Sequence, residues 1–208
     1  MQDLTAWLQR WHLDFIQVTV LILGITEVLL ARANNIGLYP VGILATTLSI
    51  YSLFGAQLYA ECLLQLYYIV MSFYGWWYWV TKKENKNVDV TFATQDEWRI
   101  TIGIAVAGWF VLYFFLKEFT PSQVPAWDAA VSSTGWAGMW LLARRKVENW
   151  IVLNVSNVLA IPLLFYKDLP LFAVLTLVLF LVACKGYVDW AAIARKRISE
   201  VSINEDPI

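Results

Sequence analysis

The chain has 208 residues, 60% of them hydrophobic and 15% charged, whereas an ordinary soluble domain carries roughly a quarter charged residues. That composition excludes a water-soluble fold, and a formal net charge of −1 without a basic patch outside the loops excludes nucleic acid as a partner. At about 1.5 Å of rise per residue, a hydrocarbon core of ~30 Å takes about 20 apolar residues per helix, so the length suits one bundle of about seven spans with short loops.

In chain order, residues 1–14 carry the only histidine, His12, lack the features of a secretory signal, and read as a short extracellular, interfacial segment. Apolar windows then predict spans over Phe15–Ala31, Leu38–Leu53 and Tyr59–Val80. The polar run Thr81–Glu97 follows as a loop, and Trp98–Leu116 crosses once. Three more spans are predicted over Ala126–Ala143, Trp150–Phe165 and Leu169–Trp190, before a tail over 191–208. Turn signals separate them: Asn34-Asn35-Ile36-Gly37, Phe54-Gly55, Thr120-Pro121-Ser122, Arg144-Arg145-Lys146 and Lys167-Asp168. Pro40 and Pro162 are expected to tilt or break the second and sixth spans.

Lysine and arginine divide unevenly between the two sides. Arg10, Lys117 and Lys167 fall on the N-terminal side, against ten on the other, among them Arg32, Lys82, Arg144, Arg145, Lys146 and Arg195. The positive-inside rule therefore puts the N-terminus outside and the C-terminus in the cytoplasm. Cys62 and Cys184 lie in apolar segments and read as small buried thiols. A single histidine outside the spans leaves no constellation for a metal, and no cofactor is expected.

Sliding the chain on itself by 111 residues, without a gap, brings Tyr39 onto Trp150, Phe54 onto Phe165, Gly75 onto Gly186 and Trp79 onto Trp190. Ten of the 41 positions from 39 to 79 are identical to their counterparts; a Leu/Val-rich background inflates that count, so the Gly-x-x-x-Trp match carries the weight. The fold class expected is all-α integral membrane, with two three-helix repeats over 15–80 and 126–190 joined by a linker helix over 98–116. Four crossings separate the repeat starts, so the repeats run parallel, an arrangement that places a substrate site near the midplane between them.

Polar side chains inside spans are the candidate site residues. Gln65, Tyr68, Ser72 and Trp76 follow at helical spacing on one face of the third span, and Trp150, Asn154 and Asn157 do so on the sixth. Such faces suit a flat, polar ligand, with rings to stack on it and amides for its hydrogen-bonding edge. The competing reading makes the amides interhelical glue. Trp79 and Trp190, at span ends, are expected to be interfacial belt residues. Asp128, beside Trp127 and aligned with Gln17 in the repeat, serves equally as a helix cap or a ligand contact. Glu61, near Gln57, reads as interfacial, and Glu27 is a deeper, weaker candidate. No paired carboxylates, span histidine or phosphate loop point to an enzyme.

The chain resembles the Pnu family of vitamin-precursor transporters. The resemblance rests on Asn35-Ile36-Gly37-Leu38-Tyr39-Pro40-Val41-Gly42-Ile43, Leu58-Tyr59-Ala60 leading to Gln65, Tyr74-Gly75-Trp76, Trp127-Asp128 and Ala143-Arg144-Arg145-Lys146-Val147-Glu148-Asn149-Trp150. It implies a seven-helix, SWEET-like fold in the cell (inner) membrane and facilitated diffusion of an unphosphorylated vitamin precursor, without a coupled ion or cofactor. The partners implied are that small molecule, the lipid bilayer and a cytoplasmic kinase that traps the substrate without a stable complex; a homo-oligomer is left open. Carriers of nicotinamide riboside in this family usually show a second Trp three residues after the position of Trp150 and an Asn four further on. Here Asn157 is present and Leu153 replaces the second ring, so nicotinamide riboside and thiamine both stay open as the substrate.

Overall fold

The structure, a computed structural model, describes residues 2–55, 59–83, 89–167 and 170–205. The readings made above for His12, Gln17, Gln57, Glu61 and Cys62 lie outside the described side chains. Among the described residues are seven helices: α1 (Gln2–Arg32), α2 (Leu38–Gly55), α3 (Tyr59–Lys83), α4 (Gln95–Phe119), α5 (Pro125–Ala143), α6 (Asn149–Tyr166) and α7 (Pro170–Glu205). By length and composition, α4, α6 and the stretch Phe172–Glu200 of α7 are apolar enough to cross a membrane, and Leu38–Phe54 is a shorter apolar helix.

Helix ends follow local chemistry. Helix α4 opens with a capping box, in which the Thr94 side chain accepts from the Glu97 backbone and the Glu97 carboxylate accepts from Thr94 N at 2.9 Å. Helix α5 starts with Pro125, where its missing N–H would have been unpaired anyway. Pro40 likewise sits in the first turn of α2, and α6 runs through Pro162 to Tyr166, so neither proline breaks its helix. Helix α1 already begins at Gln2, ahead of the expected span, and α7 continues to Glu205, into the residues read as a tail. No Gly or Pro interrupts Ala191 to Glu205, so nothing in the sequence stops the helix there.

The turns after α1 and α5 have one geometry. Asn34 N donates to Ala31 O and Asn35 N to Leu30 O, both at 2.9 Å; Arg145 N donates to Leu142 O and Lys146 N to Leu141 O, also both at 2.9 Å. This is the Schellman pattern, which needs a left-handed residue at its corner. Asn34 (φ 54°) and Arg145 (φ 56°) supply it where glycine is usual.

Neighbouring helices pack in a circuit, α1 on α2, α2 on α3, α3 on α5, α5 on α6, α6 on α7 and α7 on α1, while α4 packs on α5. Leu112 and Leu116 of α4 meet Ala129 of α5, and Gly108 lets the helices approach until a Cβ there would be 3.3 Å from that of Ser133. The largest core cluster lies at the end of the bundle that holds both Schellman turns, and it includes Tyr39, Trp79, Trp150 and Trp190. Val106, Phe110, Val111 and Phe114 on α4 and Val174, Leu177 and Leu181 on α7 are exposed, an apolar surface matched to hydrocarbon rather than water.

Candidate functional site

Helix α6 brings its three predicted site residues together. Asn157 Nδ2 donates to Asn154 Oδ1 at 3.1 Å, and Asn154 Nδ2 donates to Cys184 Sγ of α7 at 3.4 Å. Trp150, one turn earlier, is 2% exposed, and its Nε1 has no hydrogen-bond partner. Trp150, Asn154, Cys184 and Tyr187 line an open groove of about 480 Å³ between α6 and α7, with Ile151, Val155 and Val158 along its apolar side. Cys184 is exposed and engaged by an amide, which corrects its expected role as a buried thiol. The α6 amides therefore share one donor–acceptor row that ends on Cys184.

The α3 residues are more dispersed. Ser72 is buried at 2% exposure, Gln65 is partly buried, and Trp76 is 37% exposed. Tyr68 reaches α5: a Cβ on Gly135 would lie 3.3 Å from its hydroxyl and 3.5 Å from Ser156 Oγ of α6. Beside it, Tyr67 stacks on Trp136 of α5 with centroids 4.4 Å apart and donates its hydroxyl to Trp136 O at 3.0 Å. The small Gly135 thus admits Tyr68 between α3, α5 and α6.

Trp127 and Asp128 are engaged in tying α5 to α6. Trp127 Nε1 donates to Leu159 O at 2.9 Å. Asp128 pairs through Oδ1 with Lys167 and accepts at Oδ2 from Ser122 Oγ at 2.6 Å. The capping reading of Asp128 is corrected: the N-cap of α5 is Val124, and no side chain caps that end.

Trp79 and Trp190 are not belt residues. They are 3% and 0% exposed, because each indole crosses to another helix's end: Trp79 Nε1 donates to Ala143 O at 3.0 Å and Trp190 Nε1 to Arg32 O at 3.1 Å. Tyr39 meets Trp79 edge-on at 5.1 Å, and Trp150 meets Trp190 edge-on at 5.6 Å. Each ring is seated on a glycine, since a Cβ on Gly75 would lie 2.5 Å from Tyr39 and one on Gly186 2.7 Å from Trp150. The Arg145 guanidinium lies 3.9 Å from the Trp79 ring, and burial holds its pKa below the ordinary arginine value. Sequence reasoning missed Tyr39, whose buried hydroxyl has no partner; its alignment with Trp150 was the available signal.

Ion pairs close the same end. Glu97 holds Lys146 at 2.9 Å and Arg144 at 3.3 Å, and Arg32 pairs with Asp189 at 2.7 Å. Arg197 of α7 pairs with Asp89 ahead of α4. Thr91 exchanges backbone bonds with Arg145 O and Val147 N, and Ala93 N donates to Glu148 at 2.8 Å.

Comparison with known proteins adds three findings. A family model described as nicotinamide mononucleotide transporter matches residues 14–192. The nicotinamide riboside transporter PnuC of Escherichia coli (strain K12) is 23% identical over 213 residues, covering 90% of this chain and 89% of that protein, and the PnuC of Shigella flexneri gives the same figures. A solved structure, the crystal structure of the vitamin B3 transporter PnuC, superposes with a TM-score of 0.70 at 22% identity, over 88% of this chain and 83% of that one. That likeness concerns the fold.

Proposed function

This chain belongs to the nicotinamide mononucleotide transporter family, and on that premise we propose that it takes up unphosphorylated nicotinamide riboside across the cell (inner) membrane by facilitated diffusion. Membership makes it a multi-pass membrane transporter and not an enzyme. The observation that carries the substrate reading is the α6 row, with the Trp150 ring followed by the joined amides of Asn154 and Asn157. A carboxamide edge can both donate to and accept from such amides while a ring covers its face. Gln65, Tyr68, Ser72, Trp76, Trp127 and Asp128 complete the proposed substrate-contacting set. Titrating the purified protein with nicotinamide riboside, thiamine and riboflavin tests it: nicotinamide riboside should bind tightest, and tighter binding of either other vitamin overturns the choice.

Thiamine is the second reading, and Leu153 favours it. That side chain packs on α5, where a Cβ on Gly138 would lie 2.7 Å from its Cγ. The position carries no ring to cover a pyridinium.

We propose further that α1–α3 and α5–α7 are parallel repeats linked by α4. The circuit of helix contacts supports this, as do the pairs 111 residues apart: the Asn34 and Arg145 corners, Tyr39 and Trp150 on their glycines, and the crossing indoles of Trp79 and Trp190. Their acceptors, Arg32 and Ala143, are 111 apart as well. The lysine and arginine excess at this end favours placing it in the cytoplasm, where a kinase would trap the substrate without a stable complex.

A further inference from the structure

Glu27 of α1 has no task in the transport scheme above, yet the fold makes room for it. Its carboxylate packs over Gly42 of α2, where an added Cβ would lie 2.4 Å from Oε1 and 3.1 Å from Oε2. Among the described residues no lysine or arginine approaches within ion-pair distance of it, and no donor hydrogen-bonds it. The Tyr39 and Tyr68 phenols lie within its electrostatic reach. On its other side the acid lines a cavity of about 390 Å³ between α1 and α7, walled by Gly24, Val28, Phe172, Leu175 and Leu179.

A carboxylate in such an apolar wall is costly unless a positive charge joins it. Among the described residues none brings that charge, which leaves a proton or an incoming cation to complement the acid. The cavity volume falls in the range of about 300–1,000 Å³ that small ligands occupy. Its other walls are apolar or aromatic, which admits a flat ring and favours a cation delocalised over it. An ammonium with a full hydration shell gains little there, because the walls supply few hydrogen-bond acceptors to replace the water. A heterocycle with a permanent ring charge, pyridinium or thiazolium, fits both demands.

We infer that Glu27 is the counter-charge by which this transporter selects a permanently cationic heterocycle over a neutral one of the same shape. The inference rests on the proposal that a vitamin precursor is the substrate and adds a second position on its path that recognises its charge, since the α1–α7 cavity shares no lining residue with the α6–α7 groove. It assigns Glu27 to specificity, with Gly42 as the residue whose missing side chain lets the acid reach its place.

The test measures binding of two matched pairs to the purified full chain: nicotinamide riboside against the neutral C-riboside of benzamide, and thiamine against neutral 3-deazathiamine. In each pair a ring carbon replaces the cationic nitrogen. Wild type should prefer the charged member of the pair it accepts by about tenfold or more, the scale expected for a partly desolvated charge contact. Glu27→Gln should remove that preference by weakening the cation while leaving the neutral analogue unchanged, which also shows that the variant is folded. Gly42→Ala, which displaces the carboxylate without deleting it, should act the same way and serves if Glu27→Gln does not fold. Binding of the thiamine pair alone would overturn the nicotinamide riboside reading and leave this inference to be decided on thiamine. Equal affinity for both members of a pair in wild type would overturn it, as would a Glu27→Gln change that moves both members alike or neither. An uptake dependence on the proton gradient that vanishes in Glu27→Gln, with the charged-to-neutral ratio intact, would make Glu27 a proton site and overturn it too.

Discussion

Arg145 donates from Nε, at 3.1 Å, and from Nη2 to the single oxygen Oδ1 of Asn34, and both residues are the left-handed corners of their own Schellman turns. The two are counterparts in the proposed repeat. In a two-fold arrangement, a residue that bonds its own counterpart lies beside the axis, so under that proposal this contact would mark where the pseudo-axis leaves the bundle. It is not a symmetric contact, because a guanidinium faces an amide. The departure lets Arg145 also cover Trp79.

Asn34 has a backbone role and a side-chain role, and two substitutions separate them. Asn34→Gly keeps the left-handed corner and loses the bond to Arg145; Asn34→Ala loses both. Left-handed backbone costs a Cβ-bearing residue about 1–2 kcal/mol, so the alanine variant should be less stable than the glycine variant by about that amount. Thermal unfolding midpoints in one detergent check the order, and equal midpoints would remove the backbone role.

Trp79→Phe and Trp190→Phe each delete one indole N–H and leave a carbonyl, Ala143 O or Arg32 O, without its donor. A lost bond of this kind is worth about 0.5–1.5 kcal/mol. If both bonds hold this end shut, either variant should open it by roughly 2- to 12-fold in population. The readout is the rate at which a membrane-impermeant thiol reagent reaches a cysteine placed at Ser72, in a background without Cys62 and Cys184. An unchanged rate in both variants would mean that the indoles are packing elements only.

Asn157→Ala removes the donor to Asn154 and the amide oxygen beside it. A buried amide that meets a substrate edge is worth about 1–3 kcal/mol, or roughly 5- to 150-fold in affinity. Binding of nicotinamide riboside should fall by that factor, while Phe165→Leu, further along the same helix, outside the groove and at 55% exposure, should leave it near wild type. Equal losses would take the substrate off the amide face.

Glu97 is 7% exposed and gathers Lys146, Arg144 and the Thr94 backbone. Glu97→Gln leaves the Lys146 ammonium, itself largely buried, without an anion. Breaking one side of a buried pair costs about 3–5 kcal/mol, and the solvent near this loop reduces that to about 1–3 kcal/mol. The double variant Glu97→Gln with Lys146→Met should recover part of the loss. A double-mutant cycle on the unfolding midpoint checks it, and strict additivity would show that the pair does not interact.

The apolar windows fall on all seven helices among the described residues because long apolar runs leave a composition signal, and the Gly75/Gly186 match, read only as a sign of internal repetition, lies where Tyr39 and Trp150 pack on those glycines. What escaped was direction. A tryptophan near a span end has the same sequence signature whether it faces headgroups or crosses to a neighbouring carbonyl, so Trp79 and Trp190 were misread. Capping was one of two readings weighed for Asp128 because helix starts attract acids, whereas Lys167 and Ser122, outside that local window, hold it. Tyr39 went unsuspected because a phenol in an apolar run carries no sign that its hydroxyl will be left unpaired.

Helix α7 has 36 residues, about 54 Å at 1.5 Å per residue, against a hydrocarbon core of ~30 Å. With about 20 of those residues in the hydrocarbon, the other 16 would form a rod of about 24 Å beyond it, tied to the rest of the chain by the Arg197–Asp89 pair. A rod of that kind works as a pointer: a rocking of α7 by about 10° within the membrane sweeps its projecting tip through about 4 Å. A spin label at Ile198, which is 60% exposed, would turn the motion of half the transporter into a distance that can be measured in water.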